Sequence, residues 1–290
     1  MPSDEISAIL QALERFSGEY EQEAVDAAIA HREEITPHLI DCLEKVAADP
    51  SVYLEDEDYY LFIYAFMLLG HFQETRAHQA VVELFSIPEE IADELFGDLT
   101  TEYLAMVLFR TCGGDFNLIK SLILNREALV WARGQAARSL VYAVAAGQLP
   151  REEVLSFFST LFTGDEAEPI SPFWGTIADS ILDIYPQELM PVIEDAFERG
   201  LLDSGYVVEA DFDRALGSSV DKSLEYVHQE MERRPWNDLH SLMSGWSCFG
   251  DEQWGPYIPP PETTTTKSKK PRKKKKKKKM AKASRRKNRQ

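Results

Sequence analysis

Apolar side chains recur at three- and four-residue intervals from Ser3 to Arg234, the spacing that lines one face of an α-helix, and no alternating run of useful length competes with it. The pattern predicts an all-α body. Thr36 before Pro37 and Ser171 before Pro172 each pair a hydroxyl N-cap with proline at the first helical position, where the missing N–H costs no hydrogen bond. Gly70, Gly113-Gly114, Gly147, Gly164 and Gly200 each follow an apolar-periodic stretch and read as helix stops, because glycine enters the left-handed conformation without steric cost. The most apolar run, Tyr59 to Gly70, is 12 residues long, short of the about 20 that a bilayer span needs. It reads as a buried helix. Tyr59, Tyr60, Phe62, Tyr64 and Phe66 surround it almost completely, which marks core packing rather than a cofactor box.

A weaker period underlies the helices. Two adjacent apolar residues followed three positions later by a third occur at Leu39-Ile40-Leu43, Ala80-Val81-Leu84, Leu118-Ile119-Leu122, Val154-Leu155-Phe158 and Leu189-Met190-Ile193. Their starts are 41, 38, 36 and 35 residues apart, near the ~34 to 47 residue periods of two-helix repeats, in which each pair buries its apolar face by stacking on its neighbours. The expected fold is therefore a HEAT-like α-solenoid of stacked helix pairs; a multi-helix globule carrying such triplets by chance is the alternative. The stretch Trp131 to Leu140 supports the solenoid, with small mid-helix residues and arginines, Arg133 and Arg138, that resemble the Arg-x-x-Ala-Ala pattern of HEAT repeats.

Charge changes the picture at the C-terminus. Residues 1–262 hold all 49 acidic side chains against 15 basic ones, a net −34, whereas residues 263–290 carry +16. The chain divides into an all-α body over 1–257, a Pro/Thr linker over 258–266 and a Lys/Arg-rich tail over 267–290, expected to be disordered because a block of like charge has little apolar surface to offset ordering entropy. Trp246, Cys248, Phe249 and Trp254 suggest that the end of the body is pinned by aromatics. The candidate polyanion-binding residues are Lys267, Lys269, Lys270, Arg272, Lys273, Lys274, Lys275, Lys276, Lys277, Lys278, Lys279, Lys282, Arg285, Arg286, Lys287 and Arg289. No aromatics interleave with them, so they offer phosphate-backbone contact rather than base reading. A flexible arm of ~20 residues has a root-mean-square reach of roughly 25 Å, so the same cations could instead neutralise the body. In a eukaryotic cell they would serve as a nuclear address.

Candidate chemistry is sparse. Three cysteines, Cys42, Cys112 and Cys248, stand at wide spacing, which fits a reduced compartment and no disulfide framework. The acidic N-terminus lacks the basic and apolar regions of a secretory signal. Glu55-Asp56-Glu57-Asp58 lacks the spaced ligands and glycine of a calcium loop. Asp165-Glu166-Ala167-Glu168 and Glu209-Ala210-Asp211-Phe212-Asp213 read as solvated turns. Glu74 with His78 and Glu225 with His228 sit at helical spacing, but a di-iron bundle needs a duplicate and further glutamates; they read as surface pairs. Cys112 before Gly113-Gly114 follows a helix, the pole that does not stabilise a thiolate, and reads as structural. No strand precedes a Gly-rich phosphate loop. No catalytic residue, metal ligand or cofactor is expected.

Several landmarks in order resemble a bacterial family catalogued as domain of unknown function 1186: Tyr64 to Glu74 (YAFMLLGHFQE), Gly97-Asp98-Leu99-Thr100, Thr111-Cys112-Gly113-Gly114-Asp115, Gly147 to Glu153 (GQLPREE), Glu194 to Leu201 (EDAFERGL) and Trp246-Ser247-Cys248-Phe249. The resemblance covers roughly residues 5 to 250. It implies a HEAT-like body in a bacterial cytoplasm and no known activity. Some similar proteins end in a zinc-binding Cys-x-Cys module, which this chain lacks, having no cysteine after Cys248. The sequence therefore predicts a non-enzymatic interaction protein: a body that binds an unknown protein partner and a tail that binds nucleic acid or ribosomes without sequence preference, with no membrane span. An enzyme or metal-binding protein built on the acidic loops is the alternative.

Overall fold

The computed structural model describes residues 2–203 and 205–249. The linker 258–266 and every candidate polyanion-binding residue lie outside them, as does the expected domain end near Tyr257.

Among the described residues the secondary structure is helical, with only two isolated β-bridges, Arg15 to Tyr59 and Pro88 to Ala128. The chain opens with α1 (Asp4–Glu14), α2 (Gln22–Ala30), α3 (Arg32–Ala48) and α4 (Pro50–Glu55). Next come α5 (Leu61–Phe72), α6 (His78–Leu84), α7 (Glu89–Phe96), α8 (Asp98–Thr111), α9 (Asn117–Leu124) and α10 (Val130–Ala145). The last six are α11 (Arg151–Ser159), α12 (Pro172–Asp183), α13 (Met190–Glu198), α14 (Glu209–Leu216), α15 (Val220–Arg233) and α16 (Leu239–Met243). One succession of packed neighbours runs α5, α8, α10, α12. A second, α3, α6, α9, alternates with it, and α11 packs on both α10 and α12. The five apolar triplets fall one each in α3, α6, α9 and α11 and at the start of α13, each with at least two of its three side chains buried.

The core is continuous through both successions. α5 is buried on all sides, with only His71 of its twelve residues left partly accessible, as its unbroken apolar run predicts. Small residues set the helix spacing. A Cβ on Gly134 would lie 2.9 Å from Thr176 Oγ1 of α12, and one on Gly175 would lie 2.8 Å from Tyr206 Cβ, so the glycines allow an approach that any side chain would prevent.

Arginines tie successive elements together. Arg110 donates to the carbonyls of Gly70 and His71 in the last turn of α5, at 2.7 and 3.1 Å. Arg133 donates to Ile123 O of α9 and to Glu166 O, at 2.8 and 2.9 Å, with its guanidinium 4.0 Å from the Phe173 ring centroid. Arg151 reaches Ile184 O and Tyr185 O just past α12 and pairs with Glu188. Arg199 reaches Phe162 O and Thr163 O beyond α11. The contacts to Gly70, His71 and Ile123 place a cation in the last turn of a helix, where the dipole is negative, and the others tie loop carbonyls to the neighbouring helix. Burial lowers the Arg133 pKa to about 10, helped by Arg126; the carbonyl contacts are what make the buried charge tolerable.

Several local expectations hold. Ser171 caps α12, its Oγ accepting from Phe173 N at 3.2 Å, and Pro172 is the first helical residue. Gly113, Gly114, Gly147, Gly164 and Gly200 all have positive φ. Three do not. α3 begins at Arg32, so Pro37 is inside the helix and Thr36 is no N-cap; its buried hydroxyl instead donates to Arg32 O at 2.7 Å. Gly70 is helical, and the stop of α5 is Gln73, at φ 53°. Gly70 is a packing residue, because a Cβ there would lie 2.7 Å from Val107 Cγ2 and 3.1 Å from Trp236. Finally, Glu209 to Asp213 belongs to α14 and is not a turn. Asp211 accepts from Val208 N at 3.0 Å, in the first turn, where a carboxylate meets free N–H groups and the positive end of the dipole.

Candidate functional site

The chain does not end where α14 leaves the packed rows. α15 packs on α10 and α12, and α16 packs on α5, so residues 220–249 return along the α5, α8, α10, α12 succession toward the N-terminus. Sequence supplies the hinges: Ser219 caps α15 through Lys222 N, and Asp238 caps α16 through Ser241 N at 3.1 Å.

This returning strap is fastened by separate anchors. Trp236 is buried against Gly70, with the Arg110 guanidinium 5.6 Å from its ring centroid. Its carbonyl accepts from Nδ1–H of His71 at 2.9 Å. Arg234 pairs with Glu102. Trp246 Nε1 donates to the Tyr103 hydroxyl at 2.7 Å, and that hydroxyl donates to Leu242 O at 3.4 Å. Next to α2, His240 Nε2–H donates to Asp26 at 2.9 Å, leaving Nδ1 to accept from the Tyr20 hydroxyl at 2.9 Å. Phe249 closes the strap among Phe16, Tyr20, Tyr60 and Tyr64, with ring centroids 5.6 to 6.4 Å away. The aromatic pinning expected of Trp246, Cys248 and Phe249 is met; Trp254 lies outside the described residues.

Between the strap and the rows lies a cleft of about 310 Å³. Trp131, Arg138 and Tyr142 of α10, Asp179 of α12, and Glu230 and Trp236 of the strap are among its lining residues. Arg138 is its electrostatic centre, ion-paired with Asp183 and with Glu230. Glu230 also accepts from the Tyr142 hydroxyl at 3.0 Å. Burial alone would lower Arg138, but Glu230, Tyr142 and Asp179 outweigh it and hold the guanidinium above its ordinary value. Asp179 is pushed up by its enclosure, which Arg138 partly offsets while Glu230 and Asp211 add to it. Its side chain is nonetheless open to solvent within the cleft. The sequence marks Arg138 only as a packing landmark and carries no signal for Asp179 and Glu230, whose approach depends on the strap's return.

The side chains weighed as chemistry take other roles. Glu74 and His78 are buried and are not a surface pair. Glu74 holds Arg76 through two contacts of 2.8 Å, which depresses its pKa against the cost of burial. His78 bonds Thr111 Oγ1 at 3.1 Å and is lowered by burial. Glu225 and His228 are exposed on α15, where Glu225 accepts from Gln229. Cys112 is buried, donates to Phe109 O at 3.2 Å and is raised by burial, as a structural thiol should be. Cys42 is pushed up to about 11 by burial, and Cys42 and Cys112 form no disulfide among the described residues. Asp56 of the acidic run pairs with Arg15. Among the described residues no group of three or more His, Cys, Asp or Glu side chains could hold a metal ion, and no helix is long and apolar enough to cross a membrane.

No solved structure matches the chain significantly. Two curated relatives are both called uncharacterized proteins. One, from Chlamydia trachomatis serovar D, is 34% identical over 224 residues, covering 77% of this chain and 89% of the relative. The other, from Chlamydia muridarum, is 33% identical over 224 residues, covering 77% and 90%. A family model described as protein of unknown function (DUF1186) matches residues 4–250, from the first helix to the end of the strap. With that match spanning the rows and the strap together, the chain belongs to the DUF1186 family.

Proposed function

We propose that this chain is a non-enzymatic interaction protein of the bacterial cytoplasm, a HEAT-like α-solenoid that takes a protein partner, with a polycationic tail for nucleic acid or ribosomes. The observation that carries the reading is the strap. The α5, α8, α10, α12 succession offers a surface on which a polypeptide segment of about thirty residues already docks through aromatic anchors, hydrogen bonds and ion pairs. Such a surface is suited to a second polypeptide. The solenoid reading draws support from the triplets, which recur on alternate members of a helix array whose contacts run mostly between neighbours. The strap departs from that scheme by joining the two ends.

Lys267 to Arg289 supply charge without aromatic or base-reading geometry, so binding should be independent of sequence and fall steeply with salt, at about −0.9 in log-log slope per phosphate contact on duplex DNA. One observation favours a second reading, in which the tail neutralises the body. The described chain ends at Phe249, packed against residues 16 to 64, and the first 60 residues hold 16 acidic and 3 basic side chains. Titrating the full chain and a peptide of residues 263–290 against two unrelated RNAs at two salt concentrations separates the two. Equal, salt-sensitive affinity of the full chain for both RNAs supports the leading reading. Tight binding by the peptide with none by the full chain at low salt supports self-neutralisation. Affinity purification from the native cell, with and without residues 263–290, tests whether protein partners follow the body.

A further inference from the structure

Two charged side chains that line the cleft between rows and strap have no ion pair, Asp179 and Arg233. Glu102 is paired with Arg234, Asp183 and Glu230 with Arg138, and Asp211 with Arg214 and Val208 N. Asp179 makes no hydrogen bond or ion pair among the described residues, although it lines the cleft and is open to solvent there. Arg138 acts on it only through space, its guanidinium being ion-paired with Asp183 and Glu230. The charged side chains that line the cleft, Glu102, Asp179 and Glu230 against Arg138, Arg233 and Arg234, balance, so the unpaired carboxylate rather than a net charge distinguishes the site.

The rest of the lining fits a cation with a short apolar body. Trp131, Tyr142 and Trp236 are aromatic, and Met106, Met231 and Ala105 are apolar. Aromatic faces attract ammonium and guanidinium groups through the ring quadrupole, and a carboxylate can only accept hydrogen bonds from them. Arg233, a lining cation with no ion pair of its own, is exposed at the end of α15, where water and salt screen it. A volume of about 310 Å³ is at the small end for a ligand site, about 300 to 1,000 Å³. An anion seated against Asp179 would meet an unpaired carboxylate there.

We propose that the cleft is a binding site for a small organic ammonium group bearing N–H donors, with Asp179 as its anchor and Trp131, Tyr142 and Trp236 around its apolar body. Strap and rows both contribute to the site. A ligand seated there bridges them and holds the strap closed, so occupancy of the cleft controls access to the surface that the strap covers. Free amines and the side chain of a peptide lysine present the same chemistry, and the test separates them.

Isothermal titration of the full chain at physiological salt uses n-butylamine and 1,4-diaminobutane as free amines, N-acetyl-lysine amide as the lysine source, and butyrate as the anionic control. Saturable binding of either amine class, with none of butyrate, is expected. Preference between the classes identifies the source. Asp179→Asn should weaken binding at least tenfold, whereas Asp179→Glu should retain most of it; because the side chain is solvent-accessible, both variants should keep the helical circular dichroism of the parent. An independent readout is hydrogen exchange of Val220–Arg233, which at ten times the dissociation constant should slow about elevenfold if the ligand binds only the closed strap. Absence of saturable amine binding at millimolar concentration, equal binding of butyrate, undiminished affinity in Asp179→Asn, or saturation without slowing of α15 exchange would each overturn the proposal.

Discussion

α5 and α15 are helices of similar length, 12 and 14 residues, held in opposite ways. Eleven of the α5 residues are buried, and the helix is fixed by non-directional contact on every side. α15 fully buries only Val227, packs Leu224 and Met231 partly against the core, and adds the contacts of Glu230 with Arg138 and the Tyr142 hydroxyl. Apolar burial scales with area and carries no titrating charge, whereas paired charges are screened and titrate. The rows should therefore behave as one cooperative unit and the strap as a weaker one that opens first.

The largest effect should come from the rows. Phe66, fully buried with its ring 5.3 Å from Phe85, leaves a cavity when cut to alanine. Phe66→Ala should cost about 3 to 5 kcal/mol in denaturant unfolding, for the rows and strap together. Loss confined to the strap would contradict the division. Gly70→Ala acts where the two units touch, since the added methyl meets both Val107 and Trp236. Overpacking of this kind costs about 1 to 3 kcal/mol, and the exchange of residues 234–249 should accelerate more than that of α10.

Acid should sharpen the contrast. His71 is lowered by burial, with Arg110, Arg32 and His240 adding to the effect against the Trp236 carbonyl, and His78 is lowered by burial. The unfolded chain then binds protons more readily than the folded one, so the contribution of these neutral rings is complete above about pH 6.5 and declines as pH falls below it. The strap should loosen first, because opening it rehydrates the His71 ring, whose burial beside Trp236 is what disfavours the charged form. A His71→Gln variant should lose part of that acid sensitivity in a pH series of thermal melts. The smallest effect is expected at the partly exposed Arg234 to Glu102 pair: Arg234→Ala should cost about 0.2 to 1 kcal/mol, a difference reduced at high salt.

Local signals in the sequence suffice where one segment carries them. The run from Tyr59 to Gly70 could only be a core helix, Ser171-Pro172 could cap only the helix after it, and each apolar triplet marks a helix with at least two of the three side chains buried. Pro37 and Gly70 mislead because tertiary packing decides them. α3 gains Ile35 and Thr36 as buried residues by starting early, which outweighs one missing hydrogen bond, and Gly70 is needed small by Trp236, 166 positions away. The cleft has no local signal at all. Arg138, Asp179 and Glu230 lie on three helices, and only the return of the strap brings Glu230 to Arg138. The lysines and arginines from Lys267 to Arg289 rest on composition alone.

Hydrogen exchange measured residue by residue tests the separation of strap and rows most directly. The account predicts that amides of residues 220–249 exchange through a common local opening, at least tenfold faster than those of α5 and α10 at neutral pH, and that acid widens the gap. Exchange of the strap and the rows at one shared rate, unchanged in ratio between pH 7.5 and 5.5, would show a single cooperative unit and contradict it.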